Sequence, residues 1–103
     1  MAEGQLRIVE GTALSAQQKK DLLNRLARIE GQLRGVQKLI ALAAEPSDVD
    51  AVAQQMAAAR KALDRSFVQL LTGAIQTQSG NAADLEEARE RAAHLAAMLD
   101  RFA

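Results

Sequence analysis

Residues 22–40 have the sequence LLNRLARIEGQLRGVQKLI, in which large apolar side chains recur at alternating intervals of four and three. The repeating positions are Leu22, Leu26, Ile29, Leu33, Val36 and Ile40. A spacing that averages about 3.5 residues is typical of a helix that packs nearly parallel or antiparallel to partner helices. This stretch therefore predicts a long bundle helix and an all-α fold.

Two further stretches carry similar apolar seams. The second consists of Val52, Met56, Ala59, Leu63 and Leu70, widened by Phe67, Leu71 and Ala74, and the third of Leu85, Ala88, Ala92, Leu95, Leu99 and Phe102. The two longer helices would each span about 40 Å at roughly 1.5 Å per residue. Three such helices bury too little core for one chain, so we expect several chains to assemble into one bundle.

Capping signals mark where the helices begin. Ser15, followed three positions later by Gln18, has the pattern of a capping box. Pro46 breaks the first helix, and Ser47 after it is the next candidate N-cap.

These signals, with a turn at residues 80–81, predict helices over about residues 16–44, 48–77 and 82–102. Residues 1–14 have no clear period and are predicted to be an N-terminal arm. Residues 15–103 are then predicted to form a single helical domain.

The composition excludes several classes of site. The 103 residues contain no Cys, so disulfides, thiol catalysis and thiolate metal ligation are excluded. The single imidazole, His94, lies away from the third seam and is expected to be a solvated surface residue. No nucleophile–base pair or Gly-rich phosphate loop is present, so we predict no enzyme activity, cofactor or metal.

No apolar run approaches the ~20 residues of a membrane span, and the N-terminus lacks the layout of a signal peptide. We therefore expect a cytoplasmic protein that does not bind a membrane.

The basic residues are unevenly distributed, although the formal net charge is zero. Residues 16–40 carry six basic and two acidic side chains, whereas residues 81–103 carry three basic and five acidic ones. On a helical wheel Arg25 and Arg28 flank one side of the first seam, and Arg34 and Lys38 lie on the opposite side. The pattern fits either an ordinary solvated face or a nucleic-acid surface.

A stripe of small residues, Ala27, Gly31 and Gly35, lies between these two groups of basic residues. Glycine inside a helix costs roughly 1 kcal/mol relative to Ala, so something is expected to approach this backbone closely. A neighbouring helix and a nucleic-acid backbone both fit.

Two stretches carry a resemblance to a known family. The segments LNRLARIEGQLRGVQKLI (23–40) and VAQQMAAARKALDR (52–65) resemble the first and second helices of the CsoR/RcnR/FrmR family of bacterial metal- and formaldehyde-responsive repressors. The resemblance covers about residues 16–78, and the third helix more loosely.

The resemblance implies a three-helix protomer. Two protomers would form an antiparallel four-helix-bundle dimer, and two dimers would pair through the third helix. Members of the family repress transcription by binding double-stranded operator DNA, and an effector releases them. The family's operator-contacting residues correspond to Arg25, Arg28 and Arg65, to which the helical-wheel argument adds Arg34, Lys38 and Lys61.

The chain departs from the family at the effector site. The family's metal-ligating or thiol positions hold Val49, Ala74 and Gln78 here. Val and Ala have no donor atoms, and an amide is a poor ligand for Cu(I). We therefore predict a repressor whose effector is unknown or absent. The alternative is a helical oligomerisation module that pairs with a paralogue.

Overall fold

The computed structural model describes residues 6–102, which form three helices and, over that range, no strand. The helices are α1 (Ala16–Leu42), α2 (Asp48–Gly80) and α3 (Leu85–Phe102). The predicted all-α class is confirmed. None of the described helices has the length and apolarity needed to cross a membrane.

The three helices form a flat layer. The N-terminal half of α1 lies beside the C-terminal half of α2, so these two helices form an antiparallel hairpin, and α3 packs against α2. The described residues extend over 61 × 37 × 14 Å. Because a helix with its side chains is about 10–12 Å thick, 14 Å corresponds to a single layer.

The start of α1 follows the predicted capping box. The backbone N–H of Gln18 donates to Ser15 Oγ at 3.1 Å, and the Ser15 N–H donates to Gln18 Oε1 at 2.7 Å. These two bonds satisfy donors that a helix start leaves without partners inside the helix.

The junction between α1 and α2 differs from the prediction. α1 ends at Leu42, two residues early, and Ser47 makes no side-chain capping bond. Instead, the Asp48 carboxylate accepts hydrogen bonds from the backbone N–H groups of Ala44 (2.9 Å) and Glu45 (3.0 Å). These two bonds hold residues 44–45 outside the helix and hold the pKa of Asp48 below its ordinary value.

The junction between α2 and α3 also differs. α2 continues through Gly80, three residues past the predicted end, because Gly80 does not adopt a positive φ and the helix does not break there. Asn81 closes α2, with its N–H and side-chain amide both donating to the Thr77 carbonyl. α3 begins at Leu85 rather than residue 82 because Asp84 accepts from the Glu87 N–H at 2.8 Å and acts as the cap.

The seams are only partly buried within one chain. The buried apolar residues are Ile29, Val36, Ala59, Leu71, Ala74 and Leu95. Large seam residues between them remain exposed to solvent: Leu33 is 50% exposed, Met56 52% and Leu63 51%. We call the exposed side of the hairpin the apolar face, which consists of Leu26, Leu33, Ile40, Met56, Leu63 and Leu70.

α3 is held to α2 by apolar contacts near its C-terminus. The rings of Phe67 and Phe102 meet edge to face, with centroids 6.4 Å apart. Leu85 and Leu99 of α3 remain exposed, so this helix also keeps an apolar surface without a partner.

The described part of the arm lies along α1. Residues 6–10 are non-helical, and residues 6–9 line a shallow apolar pocket with Leu22 and Leu23. The Lys19 ammonium donates to the Val9 carbonyl, which fixes this segment to the first turns of the helix. Residues 1–5 of the predicted arm lie outside the described range.

Candidate nucleic-acid interface

A polar cleft lies between the N-terminal half of α1 and the C-terminal half of α2. It has a volume of about 430 Å³. Arg25 of α1 and Arg65 of α2 both line it, although 40 residues separate them in the sequence. The antiparallel hairpin therefore brings two of the predicted DNA-contacting residues together.

This cleft lies on the side of the hairpin away from the apolar face. Arg65 follows Leu63 by two positions, which is a rotation of about 200° around α2. Arg25 lies on the flank of α1, about 80° around the helix from Leu33. We call the side that carries Arg25 and Arg65 the polar face. A partner chain that covered the apolar face would leave the polar face open.

The electrostatics of the cleft favour an anion. No acidic side chain lines it. Within residues 6–102, neither Arg25 nor Arg65 forms an ion pair, and the nearby Asp21 instead accepts a hydrogen bond from Gln17 at 2.8 Å. Both guanidinium groups therefore keep their positive charge available for an external partner.

One wall of the cleft is fixed by Gln18. Its Oε1 accepts from Thr77 Oγ1 at 2.6 Å, and its Nε2 donates to the Gly73 carbonyl at 3.2 Å. A Cβ at position 73 would lie 3.4 Å from Gln18 and Leu14 atoms, so glycine allows α1 to approach α2 closely here. These contacts set the distance between the helices that carry Arg25 and Arg65.

The other predicted contact residues divide into two groups. Arg28 lies one turn after Arg25, and Lys61 one turn before Arg65, so both continue the polar face. Arg34 follows Arg25 by nine positions, which is two and a half turns and the opposite side of α1. Lys38, one turn beyond Arg34, shares that opposite side.

The stripe of small residues has no helix packed on it within the described chain. A Cβ at Gly35 would meet nothing within 4 Å, and one at Gly31 would meet only the Arg34 side chain, at 3.9 Å. Among residues 6–102, no helix of the same chain therefore packs on this stripe, and a helix of another copy and a nucleic-acid backbone both remain open as its partner.

The positions that the resemblance assigns to the effector do not fit a metal. Val49 is 59% exposed at the start of α2, whereas Ala74 is buried, 7% exposed, near its end. Their 25-residue separation corresponds to roughly 37 Å along one helix, so a single chain does not bring these two positions together. Gln78 offers one amide, and no cluster of three or more His, Cys, Asp or Glu that could hold a metal ion occurs among residues 6–102.

Three polar side chains of the cleft are not predicted from the sequence, namely Gln69, Thr72 and Gln76. They follow Arg65 at intervals of four, three and four, which places them on one stripe of α2. That spacing is a usable signal, but uncharged polar residues on a helix are ordinarily solvated surface.

Comparison with known proteins gives a family match over most of the chain. A family model described as a metal-sensitive transcriptional repressor matches residues 18–101, which include all of α2 and nearly all of α1 and α3. Neither the comparison with curated proteins nor that with solved structures gave a match.

Proposed function

The chain belongs to the metal-sensitive transcriptional repressor family, and from that premise we propose that it binds double-stranded operator DNA through its polar face and represses transcription. Because the family consists of transcriptional repressors, the prediction that the chain is not an enzyme is confirmed. We propose that it acts in the cytoplasm on chromosomal DNA.

The observation that carries this proposal is the cleft shared by Arg25 and Arg65. Two unpaired guanidinium groups on one open surface match the phosphate backbone of a duplex, which dominates protein–DNA affinity. We place Arg28 and Lys61 in the same contact. Arg34 and Lys38 would contribute at its periphery, since they project from the other side of α1.

The apolar face supports assembly of several chains. Leu33, Met56 and Leu63 are each about half exposed along a straight seam. Exposed apolar patches of this kind mark protein–protein contacts. We propose that two copies pair through this face as an antiparallel four-helix bundle, and that two such dimers join through α3.

We further propose that DNA binding does not respond to thiophilic metals or to formaldehyde. Val49 and Ala74 supply no donor atom, and the chain contains no Cys. The residues present do not fit the metal that gives the family its name. An effector, if one acts, must use other chemistry.

A fluorescence-anisotropy titration tests the proposal. The purified protein would be titrated into duplex DNA from its own upstream promoter over a series of salt concentrations. Separate titrations would contain Cu(I), Ni(II) or Zn(II). We expect tight binding, with the logarithm of the affinity falling linearly as the logarithm of the salt concentration rises. The affinity should be the same with and without each metal.

Two results would contradict the proposal. Absence of binding to any duplex at low salt would remove the DNA-binding function and favour an oligomerisation module instead. Stoichiometric copper uptake with release of DNA would show that a metal site exists outside the positions considered.

A further inference from the structure

The lining of the cleft contains more than its two arginines. Gln69, Thr72 and Gln76 of α2 are uncharged hydrogen-bonding residues that face the same space as Arg25 and Arg65. We propose that the cleft is a phosphate-binding site and that these three side chains supply its uncharged donors. This inference rests on the proposed function, because the phosphate assigned to the site is one of the operator backbone.

The shape of the cleft favours a phosphate over a base edge. A phosphodiester group projects from the duplex surface, whereas base edges lie recessed in grooves that only a projecting element enters. The polar face presents two helices side by side in a layer 14 Å thick. A concave space between two such helices accepts a projecting group.

The state of Gln69 points to a missing partner. Its Oε1 is buried and has no hydrogen-bond partner within the described residues. This oxygen can only accept, so its missing partner is a donor such as an ordered water. Only the Nε2 group of Gln69 can donate to a phosphate oxygen.

The cleft is also formed before a ligand arrives. Gln18, on its wall, is bound to Thr77, Gly73 and Ser15 at once. A donor set held on fixed helices binds an anion without an ordering cost in the backbone. Thr72 and Gln76 are exposed, so their side chains are accessible.

Two sources of phosphate share this chemistry. One is the backbone of duplex DNA, and the other is a free phosphate-bearing molecule that would compete with DNA for Arg25 and Arg65. We assign the site to the duplex, since the basic residues Arg28 and Lys61 extend the charge beyond a single cleft.

The first test compares Thr72→Val and Gln76→Ala with wild type by anisotropy over a salt series. Each variant should bind the duplex at least about 10-fold more weakly, the loss expected for a hydrogen bond to a charged group. The slope of log affinity against log salt should stay at the wild-type value, because no charge is removed. Gln37→Ala, an exposed glutamine of α1 outside the cleft, is the matched control and should bind as wild type does.

The second test titrates inorganic phosphate at constant ionic strength and follows the backbone amide resonances of residues 69–76. Shifts that are confined to the cleft and reduced in Thr72→Val would support the site. Competition between inorganic phosphate and DNA would indicate that free phosphate also occupies the cleft. If phosphate does not compete with DNA, the duplex is the source of the bound phosphate group.

Wild-type duplex affinity in both Thr72→Val and Gln76→Ala would overturn the inference. So would equal phosphate shifts in wild type and Thr72→Val. If the wild type failed to bind any duplex, the proposed function would be wrong. The phosphate titration would still show whether the cleft binds phosphate.

Discussion

The Oγ1 of Thr77 donates to the Oε1 of Gln18 at 2.6 Å and so joins the first turn of α1 to the last turns of α2. The same oxygen of Gln18 accepts from the Ser15 N–H, and its nitrogen reaches the Gly73 carbonyl. One amide therefore caps α1 and also positions it against the helix that carries Arg65.

Gln18→Ala should lower the free energy of unfolding by about 1–3 kcal/mol, because it removes a reciprocal cap and two bonds between helices. Chemical denaturation followed by circular dichroism measures the change. Operator affinity should also fall, since the spacing of Arg25 and Arg65 is no longer fixed.

Gln17→Ala is the control for that variant. Gln17 lies on the same turn but is exposed, and its side chain donates to Asp21 rather than to α2. Its loss should change stability by less than about 0.5 kcal/mol. Equal destabilisation by both variants would mean that the contact of Gln18 with α2 is not responsible.

The sequence predicts the three helices because the spacing of apolar residues in a seam can be recognised without knowing which surface the seam packs against. It does not predict which seam residues one chain buries. Ile29 is buried and Leu33 is half exposed, although both occupy the same seam. That difference depends on which side of α1 meets α2. Likewise, Ser47 and Asp48 both have capping side chains, and only the geometry of residues 43–46 decides between them.

The candidate site is predictable in part. Arg25 and Arg65 were identified as contact residues, but their position in one cleft depends on antiparallel pairing across 40 residues. The helical wheel drawn from the sequence already places Arg34 on the side of the first seam opposite Arg25. Helix geometry separates them, because nine residues are two and a half turns.

Asp48 should make the stability of the folded protein depend on pH in the acidic range. Its pKa is lowered by the N–H groups of Ala44 and then Glu45. A depressed carboxyl pKa stabilises the fold at pH above the ordinary value, and this stabilisation is lost as the pH falls through the depressed pKa. Asp48→Ala should therefore be less stable than wild type at pH 7, and the difference should shrink by about pH 2.

Thermal unfolding at both pH values measures that difference. Asp50→Ala serves as the control, since Asp50 lies in the same first turn without these bonds. A difference between wild type and Asp48→Ala that is independent of pH would contradict the assignment.

Gly35→Ala should raise the free energy of unfolding by about 0.5–1 kcal/mol, because Gly35 lies inside α1 and a Cβ there meets nothing within 4 Å. Denaturant titration measures the gain. A loss of stability would mean that a second copy of the chain packs on the stripe of small residues.

Leu63→Glu should prevent assembly of several chains. It places a carboxylate in the apolar face, where Leu63 is 51% exposed and would be covered by a partner. Burial of an unpaired charge is strongly unfavourable. Size-exclusion chromatography with light scattering should give a multiple of the chain mass for wild type and a smaller species for the variant.

Ala58→Glu is the matched control, because it adds the same charge to α2 about 140° away from Leu63. It should assemble as wild type does. A wild-type chain that is monomeric at all concentrations would contradict the proposed bundle.

Arg25→Ala and Arg65→Ala should each weaken duplex binding and reduce the slope of log affinity against log salt by about 0.9, the contribution of one phosphate contact on B-DNA. Arg34→Ala removes the same charge from the other side of α1, so its effect on the slope should be smaller. Net charge changes equally in all three variants, and only the position of the lost charge differs.

Equal slopes for Arg34→Ala and Arg25→Ala would mean that DNA responds to the overall electrostatic field of the protein. An unchanged affinity in both Arg25→Ala and Arg65→Ala would place the DNA contact on a different face.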